Sequence, residues 1–106
     1  QAIKHRLAEM FAAVELARSN CYYGAWALST DAAELPVAAA TARVSACDAY
    51  HQCARENIQV HGGMGFTWES DCHLFYRRSK LLDLMLGSPG EWKDKLIARV
   101  RAQGAA

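Results

Sequence analysis

A chain of 106 residues with 52% hydrophobic and 22% charged side chains suits one compact domain, and it is too short for a multi-lobed enzyme. The net charge is +1, and acidic and basic residues are interspersed, which leaves nucleic-acid binding without an electrostatic footprint. No stretch approaches the roughly 20 apolar residues of a membrane span, and no signal-like apolar core follows the N-terminus, so the sequence reads as a soluble, cytoplasmic protein.

Alanine dominates the apolar residues and β-branched residues are few, which predicts helices. Ile3, Leu7, Met10, Val14, Ala17, Cys21, Gly24 and Leu28 follow at alternating steps of three and four. That spacing predicts a first helix from about Ala2 to Leu28 with one apolar stripe, and the small residues Ala17, Cys21 and Gly24 permit close approach of a partner. At about 1.5 Å per residue it spans roughly 40 Å and needs a partner of similar length.

Ser29 to Leu35 is polar and helix-poor, and Pro36 suits the first turn of a new helix because its missing N–H would be unpaired there anyway. Val37, Ala40, Val44, Cys47, His51, Ala54 and Ile58 form the second stripe, antiparallel to the first across a short loop. Gly62, Gly63 and Gly65 stop that helix, and Thr67 to Asp71 offers caps for a third, from about Cys72 to Leu86. Gly87 ends it.

Ser88-Pro89-Gly90-Glu91 reads as a capping box with Pro in the first turn of a fourth helix, with Trp92, Leu96 and Val100 inward and Gln103 to Ala106 fraying. The fold class predicted is all-α, an antiparallel four-helix bundle forming a single domain over residues 1–106.

Few of the chemistry-bearing side chains stand in a pattern that does chemistry. His5, His51, His61 and His73 include no Glu-x-x-His or His-x-x-x-His pair, so no metal site is predicted, and His51 on the apolar stripe reads as a structural imidazole. Cys21, Cys47, Cys53 and Cys72 show no CxxC spacing and read as reduced, buried thiols. Tyr22, Tyr23 and Trp26 read as packing at a bundle end, and Arg77, Arg78 and Lys80 as a solvated or salt-bridged face. The Gly62-Gly63-Gly65 turn serves either as a plain helix stop or as a turn whose backbone N–H groups approach an anion.

Residues 1–10, QAIKHRLAEM, residues 58–69, IQVHGGMGFTWE, and Tyr76-Arg77-Arg78 resemble the acyl-CoA dehydrogenase family. The first segment is similar to that family's FQAIKHxLAxM helix and the second to its IQxHGGxGFTxE element, in the right order and separation. The resemblance implies the C-terminal helical domain of a longer FAD-dependent chain in a homo- or hetero-oligomer, with acyl-CoA as substrate and an electron-transfer partner. It also implies FAD contacts at Gln1 and at Gln59, Val60, His61, Gly62 and Gly63, and a substrate contact at Gly87.

The reaction implied is α,β-dehydrogenation of an acyl-CoA thioester, in fatty acid or steroid side-chain β-oxidation: a glutamate takes the α-proton and the β-hydride passes to flavin. In many members that glutamate stands directly before a Gly-Thr or Gly-Ser after the third helix, and in this chain Met85-Leu86-Gly87-Ser88 puts Leu86 in its place. Leucine abstracts no proton. The base therefore comes from a helix upstream of Gln1, or from a partner subunit in a heteromer where this chain is non-catalytic. Asp83, Glu69 and Glu91 are the nearest carboxylates, with Glu91 explained by capping and Glu69 by the loop; Pro89 lacks the N–H that a flavin contact at Ser88-Pro89-Gly90 would use.

Overall fold

Small residues such as Ala17, Gly24 and Ala27 in one long segment and Ala38, Ala42 and Ala49 in the next let one helix lie close against another, and the chain builds its architecture around its second helix. The computed structural model describes residues 2–62 and 72–105. Among the described residues four helices follow in order, α1 (Ala2–Ser29), α2 (Leu35–His61), α3 (Cys72–Leu84) and α4 (Pro89–Ala105), the all-α architecture that the periodicity predicts. α2 packs against each of the other three.

α1 and α2 are antiparallel: from Arg6 through Met10 and Asn20 to Gly24, the α2 partners fall from Glu56 through Cys53 and Ser45 to Ala38. Their connection closes as a Schellman turn, with Ala32 N–H donating to Ala27 O (2.9 Å), Asp31 N–H to Leu28 O (3.3 Å) and Asp31 at φ +51°. Pro36 stands in the first turn of α2, as expected of a residue with no N–H to satisfy.

The seam on α1 is rotated from the predicted stripe. Met10, Ala17, Asn20, Gly24 and Ala27 meet α2, whereas Ile3, Leu7, Leu28 and Cys21 are exposed and Val14 stands at the edge. Size decides this: small side chains bring the backbones close, and the larger apolar residues are left on the flank. The flanking residues Ile3, Leu7, Phe11 and Val14 make an apolar strip along α1.

Gly24 tests the seam. A Cβ built there meets Ala38 O and the Ala42 methyl at 3.5 Å each, ordinary contact distance. Gly24→Ala is expected to stabilise the chain by about 0.5 kcal/mol, through helix propensity, whereas Gly24→Leu should cost about 2 kcal/mol or more by forcing α1 off α2. Thermal denaturation of both variants reads the opposite signs.

α2 is buried on two faces, with Ala38 and Ala49 on one and Ala40, Cys47, Ala54 and Ile58 on the other. Contacts from α3 and then α4 both step toward its N-terminal end: His51 meets Ser79, Arg43 meets Leu82 and Gly87, Asp48 pairs with Lys93, and Pro36 O accepts from Arg99. The interior is mostly alanine, and the larger apolar residues lie largely outside it.

Several local features depart from expectation. α3 ends at Leu84 and not Leu86, Val100 is exposed while Trp92 and Leu96 are half-buried, and the tail stays helical through Ala105. Tyr22, Tyr23 and Trp26 are exposed; the Tyr23 and Trp26 rings stack on each other with centroids 5.6 Å apart, and the Tyr23 hydroxyl reaches Glu34 at 3.4 Å. No helix of the described residues is long and apolar enough to cross a membrane.

Candidate functional site

The first candidate region is the C-terminal end of α2. Gly62 caps the helix at φ +61°, ψ −141°, with its N–H donating to Gln59 O. Only glycine takes this backbone without strain, and nothing lies within 4 Å of a Cβ added there, so conformation rather than space selects glycine. The His61 imidazole Nδ1–H donates to Asn57 O at 2.8 Å. Gln59, His61 and Gly62 are exposed and Val60 is half-buried. Gln1 and Gly63, and the capping stretch Thr67 to Asp71, lie outside the described residues.

An exposed carboxamide and an open glycine backbone are hydrogen-bonding groups of the kind that hold a polar ligand.

The second region is the corner between α3 and α4. Two consecutive residues there have positive φ, Leu86 at +61° and Gly87 at +103°. Leu86 is 81% exposed. Carbonyls at the end of α3 and in the turn after it are held by side chains from elsewhere: Arg43 Nη2 of α2 donates to Leu82 O (2.9 Å), Met85 O and Gly87 O (3.2 Å), and Trp92 Nε1 of α4 donates to Leu86 O (2.7 Å). A cation against the C-terminal carbonyls also meets the negative end of the helix dipole. Ser88 Oγ accepts from Glu91 N–H at 3.2 Å, the predicted cap of α4.

Leu86 and Gly87 thus stand together, as the sequence order requires, but far from Gln59–Gly62. Arg43 lies 19 residues before Gly62 on one continuous helix, roughly 28 Å along its axis. The two candidate regions belong to different ends of α2. Of the candidate carboxylates, Glu91 caps α4 through its backbone N–H and brings Oε2 to 3.0 Å from where a Cβ on Gly87 would stand, Glu69 lies outside the described residues, and half-buried Asp83 lines a pocket of about 140 Å³ with Arg43, Tyr50 and Ser79. Sequence reasoning misses Arg43 as a functional residue. Its signal is a lone guanidinium on the apolar stripe between Ala40 and Cys47.

His51 is structural, as its place on the stripe implies. Buried Ser79 donates from Oγ to Tyr76 O (2.6 Å), so His51 Nδ1–H donates to Ser79 Oγ (3.3 Å), leaving Nε2 to accept from Lys80 Nζ (3.5 Å). These roles, assigned from the bonding pattern, commit the serine proton to a backbone carbonyl and leave no activated nucleophile. Arg77, Arg78 and Lys80 are exposed, and the Lys80 ammonium stands 5.5 Å from the Tyr76 ring centroid.

Among the thiols, Cys47 is buried, Cys53 half-buried and Cys21 exposed, the last correcting the expectation of burial because the α1 seam rotates away from it. The Cys72 side chain lies outside the described residues. Burial pushes the Cys47 thiol up, with Arg43 pulling it down and Asp83 and Asp48 adding to the rise; burial alone pushes Cys53 up. Both remain thiols where an ordinary cysteine ionises, near 9.0. Alkylation followed by peptide mapping should therefore find Cys47 and Cys53 slow at mildly alkaline pH, accelerating only above that range. Above it the unfolded chain releases those protons first, so stability falls as pH rises.

An open apolar groove of about 370 Å³ runs over α2 between α1 and α3, lined by Met10, Val14, Tyr50, Cys53, Asn57 and Phe75.

The family model described as "Acyl-CoA dehydrogenase, C-terminal domain" matches residues 1–100. The chain is similar to acyl-CoA dehydrogenase IpdE2 of Mycobacterium tuberculosis, 39% identical over 102 residues that cover 94% of this chain and 30% of that protein. It is 38% identical to acyl-CoA dehydrogenase FadE34 of the same organism over 103 residues, covering 96% of this chain and 14% of that one. To the probable acyl-CoA dehydrogenase YngJ of Bacillus subtilis it is 31% identical over 99 residues, covering 93% and 26%. The chain spans less than a third of the length of the curated relatives it matches. With the glycine-stopped second helix and the four-helix order in place, the match across residues 1–100 makes this chain a member of the acyl-CoA dehydrogenase family, folded as its C-terminal domain.

Proposed function

We propose that the chain serves as the C-terminal domain of an FAD-dependent acyl-CoA dehydrogenase, lending flavin-binding and subunit-interface surface to a reaction whose proton-abstracting carboxylate comes from outside residues 1–106. The observation that carries this reading is the end of α2, where a glycine-only backbone at Gly62 leaves Gln59 and His61 exposed. FAD, when bound, supplies the acceptor for the hydride leaving the β-carbon. This chain's part is to bind and orient: Gln59, Val60, His61 and Gly62 hold cofactor, with Gln1 and Gly63 completing the set, and the corner at Leu86 and Gly87 borders the thioester. The apolar strip of Ile3, Leu7, Phe11 and Val14 suits burial against further protein, in keeping with an oligomer.

A second reading is favoured by Leu86, which stands exposed where a proton-abstracting carboxylate is expected. In that reading the chain is a non-catalytic partner subunit, and another polypeptide supplies the base and the electron-transfer contacts.

The test is flavin content in the protein at the length, and with the partners, that its source produces. Gln59→Ala is expected to lower bound flavin several-fold with the helical circular dichroism unchanged. Undiminished flavin would remove Gln59 from the site, and a native-length protein with no flavin at all would sink the reading.

A further inference from the structure

The corner at residues 85–88 is held more firmly than a helix connection requires. Its two positive-φ residues include a leucine, a conformation that strains an ordinary side chain. Strain of this kind persists only where surrounding bonds over-determine it, and at this corner they do. The carbonyls of Leu82, Met85 and Gly87 converge on one guanidinium from α2, the Leu86 carbonyl is taken by the Trp92 indole, and the Ser88 carbonyl accepts from Trp92 N–H at 3.1 Å. A Cβ on Gly87 would stand 3.0 Å from Glu91 Oε2 and 3.1 Å from Trp92 Nε1, so any side chain there would have to displace them.

The arrangement is not one that stability alone selects. Arg43 Nε is buried with no hydrogen-bond partner among the described residues, and the strained Leu86 side chain gains almost no burial in return. What the corner achieves is to hold one large apolar side chain outward at a fixed place.

We propose that Arg43 is the positioning residue for this corner, and that it fixes Leu86 as an apolar wall against the acyl part of a CoA thioester. The inference rests on the reading given under Proposed function, since it takes the corner to border that ligand. Leu86 touches the acyl chain; Arg43 acts through the backbone of residues 82–87 and touches no ligand. Glycine at position 86 relieves the strain and removes the wall together, so stability and acyl affinity move in opposite directions, which no purely structural role produces.

The experiment uses the flavoprotein at native length, with calorimetric affinities for butyryl-, octanoyl- and palmitoyl-CoA and for free CoA as the acyl-free control. Leu86→Gly is expected to raise the melting temperature while weakening octanoyl- and palmitoyl-CoA roughly tenfold, with free CoA unchanged. Arg43→Ala should weaken the same thioesters by a similar factor in the wild-type background and add little in the Leu86→Gly background, because it acts through residue 86. Arg43→Lys, which keeps the charge but not the fork, should fall between, and it carries the test if Arg43→Ala does not fold. Unchanged thioester affinity in Leu86→Gly would overturn the proposal, as would an Arg43 effect equal for free CoA and thioesters in both backgrounds. A native-length protein that retains flavin yet binds no CoA compound would overturn the reading of the corner and this inference with it, whereas absence of flavin sinks the flavin reading on its own measurement.

Discussion

Ala40→Leu is expected to lower the melting temperature by roughly 10–20 °C. Ala40 is 0% exposed on the helix that every other helix packs against, so three added carbons have no void to fill. Overpacking of this kind costs about 1–3 kcal/mol, and in a domain this small each kcal/mol moves the midpoint by about 4–8 °C. The adjacent Ala39→Leu is the control. Ala39 is exposed, leucine is nearly as good a helix former as alanine, and the change should stay within about 0.5 kcal/mol. Equal shifts in the two melting curves would show that α2 is not buried as described.

Gly62→Ala is expected to cost about 2 kcal/mol, although nothing crowds the site. The cost lies in the backbone, since φ +61° with ψ −141° suits glycine and strains every L side chain. Gly104→Ala makes the contrast. Gly104 sits in α4, also with nothing near an added Cβ, and there alanine should stabilise by about 0.5–1 kcal/mol. Urea titrations of the pair give opposite signs if the Gly62 geometry holds, and the same sign if it does not. In the native-length protein Gly62→Ala is further expected to lower flavin retention, because straightening this turn moves Gln59 and His61.

Much of this architecture is legible in the sequence. Pro36, Gly62 and the Ser88-to-Glu91 cap each act through local backbone chemistry, and each stands where that chemistry places it. The rotation of the α1 seam is not legible, because Asn20 and Ala27, which join Ala17 and Gly24 in it, lie off the stripe that Ile3, Leu7 and Leu28 mark. Hydrophobicity favours the stripe, and close approach favours the smaller side chains beside it. Arg43 escapes notice for a related reason: a charge on an apolar stripe reads as an intrusion until the carbonyls that need it are located. The candidate flavin residues are legible only through the resemblance, since glycine spacing alone leaves both a helix stop and a ligand turn open.

Because α1, α3 and α4 each lean chiefly on α2, the domain is built less like a barrel of mutually supporting staves than like a mast with three stays. Amide hydrogen exchange should follow that hierarchy. The central amides of α2, between Ala40 and Ala54, should open only with global unfolding, while α3 and α4 should exchange through separate, cheaper openings that leave the α1–α2 hairpin intact. Openings of α3 or α4 then leave the α2 end at Gly62 in its place, so the two candidate regions differ in what must open to disturb them: the corner at Leu86 stays rigid until α3 or α4 detaches.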